Sequence, residues 1–181
     1  MDFVDMLGPD GEDNPGGITT DVYLAPERDF ADPDGLKGVK TTGLPGDSVT
    51  IDGTHTFKAG KGFIEGYATD DSADFKITTV GEPDGFGGKV EGEFFYPGTK
   101  KEAIEFARWA KNIKWILITK TPDGIKHQWG ARGLAVTIVG DFTLGKLSGG
   151  RRGYLFKVTG YQQSPLIYEG DITLKRDAAA V

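Results

Sequence analysis

The chain has 181 residues, enough for one core but not for two full domains. It contains no cysteine, so disulfides, thiolate metal sites and cysteine nucleophiles are excluded, and it carries a net charge of −6 that disfavours general nucleic-acid binding. Its 28 glycines fall between short β-prone runs and not in a collagen-like period, so they punctuate turns.

The opening Met1 to Asp13 is acidic where a secretory leader would be basic and then apolar, and no run approaches the ~20 apolar residues of a membrane helix. The expectation is a protein made in the cytoplasm, with no membrane partner. Leu7 to Gly17 is too rich in Gly, Pro and Asp for a regular element, which makes residues 1–17 an N-terminal arm ahead of a single β-rich domain over 18–176 and a frayed tail over 177–181.

In Ile18 to Leu24 the apolar residues share one parity, the pattern of a half-buried strand that ends at Ala25-Pro26. Seven Gly and Pro residues between 26 and 48 then predict a long irregular connection. Further runs at Ser48–Ile51, Thr54–Phe57, Gly62–Ala68, Asp74–Thr79 and Lys89–Phe95, separated by Gly, Asp and Pro, predict antiparallel hairpins.

A helix is expected at about residues 99–111. Thr99 can cap its free amides and Glu102, three positions on, can complete a capping box. Ala103, Phe106, Ala107 and Ala110 recur at helical spacing, a stripe suited to lying on a sheet. Lys114–Lys120 is β-branched and nearly continuously apolar, as in a strand covered on both faces, and Thr121-Pro-Asp-Gly124 turns it back into Ile125–Trp129. Leu134–Val139, Tyr154–Thr159, Leu166–Tyr168 and Asp171–Leu174 are the remaining predicted strands. The fold class is mostly β (α+β): an antiparallel sandwich or barrel with one flanking α-helix.

Chemistry-bearing patterns are sparse. His55 and His127 lie at no metal-pair spacing, and neither Gly-x-Ser-x-Gly nor Ser-x-x-Lys occurs. Asp70-Asp71-Ser-Ala-Asp74 and Asp32-Pro-Asp-Gly35 lack the closing Glu of a calcium loop and read as turns. Glu91 and Glu93 share a strand parity and could flank a glycosidic bond, but alternating acids are the ordinary wet face of a strand. No glycine string fits a phosphate loop; Lys146, Arg151 and Arg152 around Ser148-Gly-Gly read as a basic hairpin tip. The expectation is no catalytic residue, no metal and no cofactor.

Charge is lopsided along the chain. Residues 1–35 hold ten acids and one base, and residues 99–161 hold twelve bases and four acids. Opposite patches of this kind can fix the register of one copy on another.

Three segments carry a family likeness: Gly16-Gly-Ile-Thr-Thr-Asp-Val-Tyr-Leu-Ala-Pro26, the Glu-Ala-Ile-Glu-Phe helix before an apolar strand, and Gly153-Tyr-Leu-Phe-Lys-Val-Thr-Gly-Tyr-Gln-Gln-Ser-Pro-Leu-Ile-Tyr-Glu-Gly170. In pattern and layout the chain resembles tail tube and related virion structural proteins of tailed bacteriophages. The resemblance implies a subunit of a hexameric ring, stacked ring on ring in a virion tail, touching other tail proteins and conducting DNA without specific binding. An acidic bore would repel phosphates and let a genome slide. Glu91 and Glu93, with Glu65 and Asp74, are the candidate channel-lining residues. Asp10, Glu12 and Asp13 of the arm, and Arg151 and Arg152, are the candidate inter-subunit contacts, together with the loop from Pro26 to Gly62. Two alternatives stay open: a monomeric β-sandwich that binds a ligand or glycan, with Trp109, Trp115 or an exposed Trp129 as platform, and another ring component such as a tail terminator or connector.

Overall fold

The central strand is the apolar run Trp115-Ile-Leu-Ile-Thr-Lys120, here β5, whose first five residues are buried. In the computed structural model, which describes residues 15–178, the preceding strands are β1 (Asp21–Pro26), β2 (Ile64–Tyr67), β3 (Asp74–Val80) and β4 (Gly87–Pro97). Those that follow are β6 (Lys126–Trp129), β7 (Thr137–Thr143), β8 (Gly153–Tyr161) and β9 (Leu166–Ile167), with α1 (Lys101–Ala110) between β4 and β5 and a short α2 (Lys175–Ala178) at the end. They form two antiparallel sheets of order β2-β1-β5-β6-β9 and β3-β4-β8-β7, an α+β sandwich in which neither sheet closes into a barrel.

Alternation along β5 explains why it is apolar on both faces. Trp115 and Leu117 point with Val22 and Leu24 into the core shared with the second sheet, where Val90, Phe94, Ile138, Phe156 and Val158 meet them. Ile116 and Ile118 point the opposite way, into a separate core with Phe30, Leu36, Ile51, Phe63 and Tyr168. The long connection from Glu27 to Phe63 therefore folds back on its own sheet and supplies its second cover. This loop is a candidate for contacts between subunits on sequence grounds; its Phe30, Leu36 and Ile51 are used within the chain, while Leu44 is exposed.

The amphipathic stripe of α1 lies at the open side of the sandwich. Ala103 and Ala110 are buried, and Phe106 packs on Trp115 and Phe156 with ring centroids 5.3 and 5.4 Å apart. A Cβ on Gly140 of β7 would press on Phe156 and on Ala107, so this glycine lets the helix approach the sheet. The expected capping box is absent. Lys100, not Thr99, is the N-cap, with no side-chain cap bond, and its carbonyl takes the first helical N–H groups, from Ala103 and Ile104. The cause is tertiary: Gly98 donates its N–H to the Arg152 carbonyl, which carries the β4–β8 pairing one residue past Pro97 and delays entry into the helix.

Several predicted strands shrink for a related reason. Ser48–Ile51 contains a 3-10 turn at Asp47–Val49 and then single bridges, and Thr54–Phe57 contributes only the bridge from Phe57 to Phe30. These segments lie across the face of a sheet, where a backbone meets one partner residue at a time and no ladder can propagate. Leu134–Val139 is displaced to Thr137–Thr143, because Ala131–Leu134 closes on itself in a tight turn. In Asp171–Leu174 only Leu174 bridges, to Phe63. Residues 177 and 178 of the expected tail belong to the helical turn of α2, beside the Arg176–Glu65 ion pair at 2.7 Å.

Candidate assembly surface

The second sheet has one apolar and one polar face. In β3 and β4 the inward residues are Phe75, Ile77, Val90 and Phe94, while Asp74, Lys76, Lys89, Glu91 and Glu93 point outward. Register sets one row across the sheet as Asp74, Glu93, Lys157 of β8 and the half-exposed Val139 of β7. A second row is Lys76, Glu91, Thr159 and Thr137. With Asp141 of β7, the face carries four carboxylates and three ammonium groups, and at one end Arg151 lies over Phe95, which shares the parity of Glu91 and Glu93.

Its charges are arranged in short pairs. Lys89 Nζ donates to Glu91 at 2.7 Å, Lys76 lies 3.9 Å from the same carboxylate, and Lys157 meets Asp141 at 2.8 Å. The hydrogen bond from Lys89 holds the Glu91 carboxyl below its ordinary value, and the bond to Asp141 raises Lys157. The lysines are thus engaged by carboxylates, while Asp74 and Glu93 make no ion pair among the described residues. The result is a solvated, nearly neutral surface with a slight acidic excess, as distinct from the clustered cations of a phosphate-binding groove.

Of the candidate channel residues, the structure brings Glu91, Glu93 and Asp74 together and places Glu65 on the other sheet, in its pair with Arg176. Lys76, Lys89, Asp141 and Lys157, which the sequence patterns did not single out, share the face; parity along β3 and β4 signals Lys76 and Lys89, whereas only strand register brings in Lys157 and Asp141. Arg151 and Arg152 sit exposed where β8 begins, Arg151 with its guanidinium 5.9 Å from the Phe95 ring centroid. Asp10, Glu12 and Asp13 lie outside the described residues.

Both borders of this sheet are strand edges. β3 pairs only with β4, and β7 pairs as a strand only with β8, so each presents seven residues with one side of the backbone unladdered. An edge of that length needs water, a cover or another chain.

His55 is a structural group. It is 1% exposed, its Nδ1 accepts the Lys37 N–H at 3.0 Å, and Nε2 therefore carries the proton and donates to Gln128 Oε1 at 2.7 Å. Its ring stacks on Tyr168, whose hydroxyl accepts the His55 N–H and donates to the Asp171 carbonyl. Burial lowers its pKa to about 4. Among the described residues no three His, Asp or Glu side chains are grouped to hold a metal. Asp71, in the Asp70–Asp74 cluster, has a left-handed backbone (φ 56°) as part of a turn, and Asp32 pairs with Lys58.

The aromatic platform is also largely withdrawn. Trp129, expected to be free for exposure, is buried, donates to Thr119 Oγ1 at 2.8 Å and packs against Phe75. Trp115 is core, and Trp109 alone of the three is exposed, with Arg108 over its ring. No helix among the described residues is long and apolar enough to cross a membrane. No protein-family model matches the chain, and no curated protein matches it in sequence.

Proposed function

We propose that the chain is a virion structural protein, the subunit of a hexameric phage tail tube whose stacked rings enclose a DNA-conducting channel. The observation that carries this reading is the second sheet: a packed inner face, a charged outer face with its lysines paired, and two open edges of equal length. Pairing β3 of one copy with β7 of the next satisfies both edges by one heterologous contact, and such a contact closes into a ring when its rotation divides the circle. The outer faces then join into one wall. Asp74, Glu91 and Glu93 stand on it with Asp141, and its three lysines are held by carboxylates. Ring number and virion location follow from the resemblance of the sequence to tail tube proteins.

The test is the assembly state of concentrated protein, by analytical ultracentrifugation and negative-stain electron microscopy. Hollow rings or tubes with a central channel are expected. A strictly monomeric species at high concentration refutes the reading and returns the chain to the class of ligand-binding sandwiches; closed rings that never stack favour a terminator or connector.

A further inference from the structure

The loop that joins β7 to β8 projects from the sandwich as a cationic and apolar tip. From Phe142 to Gly153 the chain carries Lys146, Arg151 and Arg152 and no acid. Leu147 is completely exposed and Leu144 largely so, and Phe142 and Leu144 line a shallow hollow together with Lys146 and Arg151. None of the three cations makes an ion pair among the described residues: Arg151 rests on the Phe95 ring, and Asp141, the nearest acid in sequence, is held by Lys157. The acids at the base of the hairpin are likewise unpaired with it. These are Asp70 and Asp71, in the turn that Ser72 binds to Phe95, and Glu102, which stands beside Lys100 and Lys101. Apolar side chains grouped among unpaired cations suit a cover that is itself acidic and apolar.

One segment of this chain has that composition. Residues 1–14, which lie outside the described residues, hold Asp2, Asp5, Asp10, Glu12 and Asp13 with no base, and their first half sets two of these acids among Phe3, Val4, Met6 and Leu7. The chain also enters the sandwich at the end from which the tip projects. Thr20 accepts from Ala68, Thr69 donates to Phe95, and Phe95 lies opposite Leu155, two residues from the end of the β7–β8 ladder at Gly153. Fourteen extended residues reach about 46 Å, whereas the loop from Leu144 to Arg152 stands no more than about 15 Å beyond that ladder. The arm therefore reaches the tip of its own chain, and a tether this short raises the local concentration to the order of mM.

We propose that residues 1–14 fold back onto the β7–β8 tip of their own chain, with the apolar side chains of Phe3 to Leu7 on Phe142, Leu144 and Leu147 and the acids against Lys146, Arg151 and Arg152. The contact neutralises the tip and covers its leucines in the single subunit. It goes beyond the self-assembly reading and does not depend on it, because it is made within one chain.

Trypsin tests the docking in dilute protein. Residues 1–27 contain no Lys or Arg, so the arm survives while the tip is cut. Cleavage after Lys146, Arg151 and Arg152, measured relative to cleavage after the exposed Lys58, is expected to speed up about tenfold or more when residues 1–14 are deleted. The full-length variant Asp2→Asn, Asp5→Asn, Asp10→Asn, Glu12→Gln, Asp13→Asn keeps the apolar residues and should speed it up about threefold or more. Equal relative rates in all three proteins overturn the proposal. Protection of the wild type that fades on dilution overturns docking within one chain and assigns the arm to a second copy. Protection that needs phosphatidylcholine–phosphatidylserine vesicles overturns it too, and assigns the tip to a lipid surface. Wild-type protein that never assembles but keeps a concentration-independent protection removes the tube reading and supports the docking.

Discussion

Acid should destabilise this protein chiefly through its most deeply buried histidine. His55 is neutral in the folded chain, buried between Tyr168 and Gln128, with a pKa of about 4 against 6.5 when exposed. Between those values the unfolded chain takes up a proton that the folded chain refuses. Stability is therefore complete above pH 6.5 and is lost as pH falls toward 4, at up to ~1.4 kcal/mol per pH unit and by about 3 kcal/mol in all. Denaturant unfolding of dilute protein from about pH 7.5 to about pH 4 measures this, with His55→Gln as the comparison. The variant is expected to be less stable at neutral pH, because the Lys37 N–H and the Gln128 amide lose well-placed partners, but to have a shallower pH slope. His127, the other histidine, is also lowered by burial, opposed by Asp123, so its replacement by Asn provides the control. Equal slopes for wild type and His55→Gln across this window would refute the assignment.

Three further outcomes are expected. Gly88→Ala should cost about 1–3 kcal/mol in thermal or denaturant unfolding, because its Cβ would overlap the backbone carbonyl oxygen of Gln162, which cannot move aside as a side chain would. Reversing Glu91 and Glu93 to Lys should leave monomer stability nearly unchanged, since both stand on the solvated face and only Glu91 is ion-paired, but make the assembled wall cationic. Duplex DNA should then bind to assembled particles with a steep salt dependence, and unchanged assembly with unchanged DNA retention and genome ejection would show that the face does not line a channel. Deleting residues 1–16 should leave the fold of the remaining domain intact by circular dichroism and yield unstacked rings; unaltered tubes would remove the arm from the stacking contacts.

The strands with strong local patterns are legible in the amino-acid sequence itself. Asp74–Val80, the core of β4 and β8, and the doubly covered β5 follow from alternation or from an unbroken β-branched run, because side-chain direction along a strand is fixed by its own pleat. The helix is legible too, through its apolar spacing. The same parity puts Glu91 and Glu93 on one wet face, and composition alone excludes thiol chemistry.

What tertiary structure decided is where strands find partners. The segments at Ser48–Ile51 and Thr54–Phe57 have strand-like composition, yet they cross a sheet face and make bridges, because the second side of β5 needed covering. Thr99 is a good cap that goes unused because Gly98 is held by β8. Trp129 and His55 carry no local sign of burial; their positions depend on Thr119, Phe75, Gln128 and Tyr168, which are distant in sequence or on another strand. The separation of Glu65 from Asp74, Glu91 and Glu93 is of the same kind. Periodicity assigns a residue to a face of its own strand, but only strand order assigns that strand to a sheet.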